Sequence, residues 1–263
     1  MCHTLMPELP EISVFAKNLT KEFGGRKLTQ LKVIDKRKLK ETEEEFNARL
    51  QGQVLEEVYR SGKELRFKFG NGEILGMHVM ISGKNFLFEG AHDIKLGVVE
   101  LHFDNGRGLI LTDRLKQANV RLNPDDRGGV DPLSEELTLD YLRQVLNKKT
   151  PIKNILLDQE IIRGIGGAYS DEICWEIRIS PFSIASAIPD DKIIDLHKAI
   201  PKVLKDVEKQ IEENKPGIIS GDVRDFSKVH DKKKTHCPNG YPIQMKELGG
   251  RKTYFTEEQV LYK

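Results

Sequence analysis

Residues Asn123-Pro-Asp-Asp-Arg-Gly-Gly-Val-Asp-Pro132 are dense in turn formers, and the hydrophobic pattern changes across them from strand-like alternation to helical spacing. That switch constrains the fold most: a strand-rich part must precede it and a helix-rich part must follow. Upstream, Ile12, Phe15, Leu19 and Phe23 share one face of a helix expected over 11–23. Basic-rich strands are expected near 31–36 and 54–60. Leu65, Phe67 and Phe69 then alternate with polar residues up to the hairpin signal Asn71-Gly72, with Ile74 to Met80 as the return strand. Val99, Leu101 and Phe103 repeat the pattern through Asp104-Asn105-Gly106 to Leu109-Ile110-Leu111. Downstream, Leu139, Leu142 and Leu146 mark a helix capped by Thr138, and Thr150-Pro151 reads as the N-cap and first turn of another. Gly164-Ile-Gly-Gly167 interrupts that helix, and a further one runs through Glu172 and Trp175. Asp190 or Asp191 caps a long helix carrying Ile193, Leu196, Ile200, Val203, Leu204, Val207 and Ile211, bent at Pro201. From about 216 the periodicity is weak, and there is no internal repeat.

Composition limits what such a chain does. With 263 residues there is room for one large or two ordinary cores. A net charge of +1 with 32% charged residues leaves no global cationic field, so any nucleic-acid surface is a local patch. Cys2, Cys174 and Cys237 are too few and too widely spaced for a disulfide framework and suit a reducing compartment. No apolar run reaches about 18 residues and no signal-peptide pattern is present, so a soluble, cytoplasmic protein without a membrane partner is expected.

Chemistry concentrates in Met6-Pro7-Glu8-Leu9-Pro10-Glu11. Removal of Met6 would give Pro7 a free secondary amine. An α-amino group titrates near roughly 7.7–8.0, so far more of it is unprotonated at neutral pH than of a lysine. Such an amine attacking a sugar C1′ gives an iminium ion directly, and the neighbouring Glu8 carboxylate can shuttle protons. The plainer alternative is an irregular segment entering a helix, since proline sits well at helix starts. Gly164-Ile-Gly-Gly167 before a helix offers backbone N–H groups and a positive dipole end to a phosphate; it also reads as a simple break between packed helices.

The hexapeptide together with Leu156-Leu-Asp-Gln-Glu-Ile-Ile-Arg-Gly-Ile-Gly-Gly-Ala-Tyr-Ser-Asp-Glu172 resembles the formamidopyrimidine-DNA glycosylase/endonuclease VIII family, and the resemblance spans nearly the whole chain. It implies an α+β fold: an N-terminal β-sandwich with a flanking helix (1–123), a linker (124–135), a helix-two-turns-helix DNA-binding domain (136–227) and a hairpin finger (228–263). It implies Pro7 as nucleophile, Glu8 as proton shuttle, and Lys63, in Arg60-Ser-Gly-Lys-Glu-Leu65, as a phosphate contact that also stabilises the developing anion. Glu11 and Glu172 tune or organise the site. Gly166 and Gly167 grip the DNA backbone, although family members carry Asn in the place of Gly167, whose amide touches a phosphate. His78-Val-Met-Ile-Ser-Gly83 resembles a segment whose methionine, here Ile81, plugs the base stack, with Met80 in that role or a purely structural segment as equal alternatives; Lys116 and Gln117 stand where an arginine and an aromatic complete that plug. Arg224-Asp225-Phe226 after Ser220-Gly221 resembles the start of the lesion-capping loop.

In the tail, Gly240-Tyr-Pro-Ile243 and Gly250-Arg-Lys-Thr253 align with the family's zinc finger, and Arg251 with its phosphate-holding arginine. The ligand positions carry His236, Asn239, Thr256 and Gln259, with Cys237 one residue out of register, and zinc needs four thiolate or imidazole ligands. A hairpin without metal or cofactor is therefore expected, as in some members. Met1-Cys2-His3-Thr4-Leu5 precede the hexapeptide, so the Pro7 nitrogen is a tertiary amide unless Met6 is the true start or processing exposes it. The resemblance implies a monomeric glycosylase and abasic-site lyase acting on double-stranded DNA with damaged bases or abasic sites, nucleoid-associated in a bacterium. The alternative is a non-cleaving binder of such DNA.

Overall fold

A computed structural model describes residues 6–126, 128–221 and 223–263; the segment 1–5 with Cys2, Arg127 of the linker and Asp222 of the expected capping loop lie outside the described residues. The chain divides into two compact units, Met1–Asp126 with Ile211–Val223, and Arg127–Gln210 with Arg224–Lys263.

The first unit opens on α1 (Leu9–Phe23), which begins two residues before the expected start because Glu8 supplies the cap and Pro10 is tolerated in the first turn. Its buried face carries Leu9, Ile12, Phe15, Leu19 and Phe23, each worth roughly 1.5–3 kcal/mol of transfer free energy. There follow β1 (Leu28–Val33), α2 (Glu43–Leu50), β2 (Leu55–Ser61), β3 (Glu64–Phe69), β4 (Ile74–His78), β5 (Gly83–Glu89), β6 (Gly97–Phe103), β7 (Arg107–Asp113) and β8 (Asn119–Leu122). They form two four-stranded sheets, β1-β6-β7-β5 and β2-β3-β4-β8, with antiparallel pairings throughout. Alternating side chains from both sheets, among them Leu31, Phe67, Phe69, Leu75, Met77, Leu101 and Leu111, make one core. Phe23 of α1 stacks on Phe103 at 4.2 Å. On β2, an edge strand, the Thr20 hydroxyl donates to the Val58 carbonyl (3.0 Å) and accepts from its N–H (2.7 Å), pinning α1 along that edge.

Three elements leave no alternating signal in the sequence. Helix α2 buries only Phe46 and Leu50, too little for a periodic signal, although Thr42 and Glu45 close a capping box. Strand β5 is obscured because Asn85, a polar residue, points inward. Strand β8 has four residues. The return strand expected to reach Met80 stops at His78, whose Nδ1 accepts from the Met80 N–H (3.1 Å) and turns the chain.

The second unit holds α3 (Leu139–Leu146), capped by the Thr138 hydroxyl as expected, α4 (Ile152–Leu157), α5 (Gly167–Glu176) and α6 (Asp190–Asn214), whose last residues fall in the first unit. Two helix starts differ from expectation. Pro151, not Thr150, occupies the N-cap position of α4, and Thr150 Oγ1 instead accepts from Asn154 Nδ2 (3.3 Å). Asp190 is the first residue of α6 rather than its cap, and its carboxylate takes a two-pronged pair from Arg143 (2.7 and 2.8 Å). Pro201 lies inside α6. The tail forms β9 (Gln244–Leu248) and β10 (Arg251–Phe255), an antiparallel hairpin closed by Gly249-Gly250, both at positive φ.

Candidate functional site

In the first unit the hexapeptide becomes the start of α1. Glu8 is the N-cap; its side chain accepts from the Glu11 N–H, while the Glu11 carboxylate accepts from the Glu8 N–H at 3.0 Å. Both carboxylates are buried, and buried Pro7 immediately precedes them. One sequence signal, Glu-x-x-Glu, thus does two things: it caps the helix and fixes the peptide that carries Pro7.

Lys63 sits in the two-residue turn between β2 and β3, paired across Ser61 and Glu64. Gly62 adopts φ of +57° at the first turn position, a conformation glycine takes without steric cost, and Lys63 is thereby presented half-exposed at the tip. Arg60 stiffens the approach by donating to Ser13 Oγ on α1 (3.0 Å). The same corner holds His78. Burial pushes its imidazole below the ordinary value; Glu64 pulls it up, and the charges of Lys63 and Arg121 depress it further.

Two loops rise side by side at one end of the sandwich. Asp113 organises them, accepting from the Ser82 hydroxyl and from the N–H groups of Leu115 (3.0 Å), Gln117 (2.5 Å) and Ala118 (2.7 Å). Burial alone would raise this carboxyl; the Ser82 bond and the three N–H bonds outweigh it and hold it below the ordinary value. Ser82 Oγ also accepts from the Leu115 N–H (2.9 Å), locking the loops together. Met80 (φ 55°) and Lys116 (φ 58°) are both left-handed, a strain of the kind found at functional positions. Ile81 is 43% and Leu115 44% exposed. Lys116 and Gln117 are exposed on the same loop. Leu115 was missed by sequence reasoning, although a lone leucine between Arg114 and Lys116 was the available signal.

In the second unit the glycine turn leads into α5 with Gly166 as N-cap and Gly167 as first residue. Gln159 braces the turn, accepting from the Gly164 N–H (2.9 Å) and donating to the carbonyls of Leu157 (2.9 Å) and Ile165 (2.8 Å). A Cβ at Gly167 would meet nothing within 4 Å, so neither space nor backbone demands glycine there. Glu172 is not a solvated helix carboxylate. It is buried and accepts from the N–H groups of Lys228 (2.8 Å), Val229 (2.9 Å) and His230 (2.8 Å), fastening that segment to α5. Burial raises its carboxyl, against the pull of those donors.

Beside it lies a buried network unseen in the sequence. Lys153 Nζ donates to Asp171 Oδ1 (2.6 Å) and Thr253 Oγ1 (2.9 Å), and Asp171 Oδ2 pairs with His230 Nδ1 (2.7 Å) and accepts from the Tyr254 N–H (2.9 Å). Lys153 is fully buried, so the pair ties β10 to α4 and α5 in a low-dielectric setting. Arg251 opens β10 and is exposed.

The expected ligand positions do not fit zinc. His236 is exposed with its ring on Thr235 Oγ1 (3.0 Å), Asn239 donates to Glu258, and buried Thr256 and Gln259 are engaged with each other, Thr256 N–H to Gln259 Oε1 at 2.8 Å. Among the described residues no group of three or more His, Cys, Asp or Glu side chains is placed to hold a metal ion. No helix among them is long and apolar enough to cross a membrane.

A helix-flanked β-sandwich, a glycine turn between two helices and a tail hairpin define the helix-two-turns-helix class of proteins. Residues 6–120 match the formamidopyrimidine-DNA glycosylase N-terminal domain and 129–219 the formamidopyrimidine-DNA glycosylase H2TH domain. The formamidopyrimidine-DNA glycosylase of Streptococcus pneumoniae is 30% identical, with 95% of this chain and 97% of that protein covered. The Chloroflexus aurantiacus enzyme of that name is 34% identical over 76% of each chain. Among solved structures, the Lactococcus lactis protein in complex with Fapy-dG DNA aligns with a TM-score of 0.85 at 25% identity, covering 95% of this chain and 98% of that one. The chain belongs to the formamidopyrimidine-DNA glycosylase family.

Proposed function

We propose that the chain is a base-excision-repair DNA glycosylase with abasic-site lyase activity, which removes oxidised bases from double-stranded DNA and nicks the strand through a Schiff base on Pro7. The observation that carries this reading is the helix start: Pro7 lies directly before Glu8, Glu8 and Glu11 are locked in a reciprocal capping box, and the family match opens at residue 6. With Met6 gone, the Pro7 amine attacks C1′. The N–C1′ bond forms, the base leaves with the electron pair of its glycosidic bond and gains a proton, and the sugar ring opens to an iminium ion. Glu8 shuttles that proton, and Glu11 holds Glu8. Loss of a C2′ proton expels the 3′ phosphate, and a second elimination expels the 5′ phosphate.

The remaining roles follow the same reading. Lys63 and Arg251 neutralise backbone phosphates, and the N–H groups at Gly166 and Gly167 receive another. Ile81 with Leu115, Lys116 and Gln117 fills the gap left by the everted base. Glu172 is an organiser of the second unit. Residues 1–123 do the chemistry, 124–135 link, 136–227 grip DNA and 228–263 form the finger. The protein works as a monomer on DNA with damaged bases or abasic sites, in the cytoplasm and nucleoid of a bacterial host.

The residues that depart from the family pattern, Gly167, Lys116 and Gln117, favour a second reading, a non-cleaving binder of damaged DNA. Intact mass and N-terminal residue of protein from its native host, followed by borohydride trapping on abasic duplex, separate the two. A chain beginning at Pro7 that cross-links, and ceases to after N-terminal acetylation, is expected. A chain that keeps residues 1–6, binds the duplex and never cross-links would establish the binder instead.

A further inference from the structure

The tail poses a physical problem. A hairpin of two short strands with mostly exposed side chains cannot hold itself together by burial, and such pieces need a staple. Zinc does not fit, yet the hairpin base is firmly joined to α5. The joint centres on one side chain, Glu258. Its Oε1 accepts from Trp175 Nε1 (2.7 Å), Thr256 Oγ1 (3.3 Å) and Cys237 Sγ (3.5 Å); its Oε2 accepts from Asn239 Nδ2 (3.0 Å). Arg178 completes the set as an ion pair, with its guanidinium also over the Trp175 ring at 4.6 Å. Arg178 reaches this place from a left-handed backbone (φ 59°) just past the end of α5, a strained conformation for a non-glycine residue.

These donors come from three separate segments: the end of α5 (Trp175, Arg178), the turn before the hairpin (Cys237, Asn239) and the exit of β10 (Thr256). One carboxylate therefore joins these three segments at the hairpin base, beside the Lys153–Asp171 network that ties β10 itself to α4 and α5. Beneath it Trp175, Val229 and Cys237 pack as a small apolar floor with Ile243 against them. Gln259 adds a further tie, donating to the Ile179 carbonyl at 2.8 Å.

We infer that Glu258 is the staple of the finger, a carboxylate hub that does by convergent charge-assisted hydrogen bonds the cross-linking a metal ion would do, and so positions the hairpin that carries Arg251. The DNA half of this statement rests on the phosphate role proposed for Arg251; the structural half does not. A carboxylate suits the task because it offers several acceptor directions, and bonds to an ionised acceptor are roughly twice as strong as neutral ones.

Trp175 is the single tryptophan of the chain, so its emission reports on the hub directly. The test uses the full protein and its Glu258→Gln, Asn239→Ala and Arg251→Ala variants, with circular dichroism to verify the fold. Tryptophan emission, amide exchange of residues 244–255 and affinity for a duplex containing a tetrahydrofuran abasic analogue are read for each. Glu258→Gln is expected to shift the emission, to accelerate hairpin exchange on the order of tenfold or more while the sandwich strands stay protected, and to weaken duplex binding by a similar factor. Asn239→Ala should do the same more mildly, and keeps the test alive if Glu258→Gln fails to fold. Chelator treatment of the unaltered protein should change none of the three. Unchanged emission and exchange in Glu258→Gln, or their loss on chelation, overturns the hub. Faster exchange with undiminished affinity overturns its positioning role. An Arg251→Ala variant that binds normally removes the proposed phosphate contact and leaves the hub standing.

Discussion

At the scale of single residues, the side chains that matter are held by hydrogen bonds that also explain their neighbours. Glu8 and Glu11 satisfy each other's backbone, so a change at either loosens both the helix start and the peptide bearing Pro7. Gly167 is the opposite case, a position where the backbone imposes nothing. Its φ is not positive and a Cβ would enter open space, so Gly167→Asn should fold normally and restore the amide contact expected from the family resemblance. A hydrogen bond to a charged group contributes about 1.5–3 kcal/mol net of desolvation, roughly a tenfold gain or more. Fluorescence anisotropy with an abasic duplex at fixed salt should show that tightening. Equal or weaker affinity would mean that no phosphate comes within reach of this helix start.

At the scale of elements, the 113–118 loop shows how a few bonds fix an exposed apolar tip. Asp113 receives three N–H groups of its own loop and the Ser82 hydroxyl of the neighbouring one, so the exposed side chains of Ile81 and Leu115 are offered on two loops locked together. The Asp113 carboxyl is depressed in the folded protein. Its contribution is therefore complete above the ordinary aspartate value of about 3.9 and is lost as pH falls through the lower folded value. The amide resonances of Leu115, Gln117 and Ala118 should titrate together with a midpoint under that ordinary value. A midpoint at or above it would show that the carboxylate is not held by these donors. Asp113→Asn should abolish the titration. Glu258 follows the same sign: burial would raise it, but the bonds from Asn239, Trp175 and Cys237 and the charge of Arg178 hold it down, so the finger joint too weakens only in acid.

At the scale of the whole molecule, a net charge of +1 means that DNA affinity must come from few, placed cations rather than from a diffuse field. Each neutralised phosphate adds about 0.9 to the slope of log affinity against log salt for duplex DNA. Lys63→Ala and Arg251→Ala should each lower that slope by about one unit and weaken binding equally for damaged and undamaged duplex. A slope unchanged in both variants would remove these side chains from the interface and with them the phosphate-clamp reading.

The sequence by itself determined the order of the parts. Alternation in Leu65–Phe69 and Val99–Phe103, the turn signals Asn71-Gly72 and Asp104-Asn105-Gly106, and the Thr138 cap are local preferences, and each became the expected element because nothing distant opposed it. The family was legible for the same reason, since its hexapeptide and glycine turn are contiguous. Tertiary structure alone decided the rest. Strand β5 exists because its one neighbour, β7, and the sandwich core accept it despite inward-facing Asn85; Glu172 and Lys153 became buried organisers; and Glu258, a glutamate in a weakly patterned tail, became the centre of the finger. Their partners lie tens of residues away in sequence, and a hydrogen bond between distant residues leaves no periodicity to read. The missing zinc ligands were visible in one dimension; what holds the finger in their place appears only when the chain is folded.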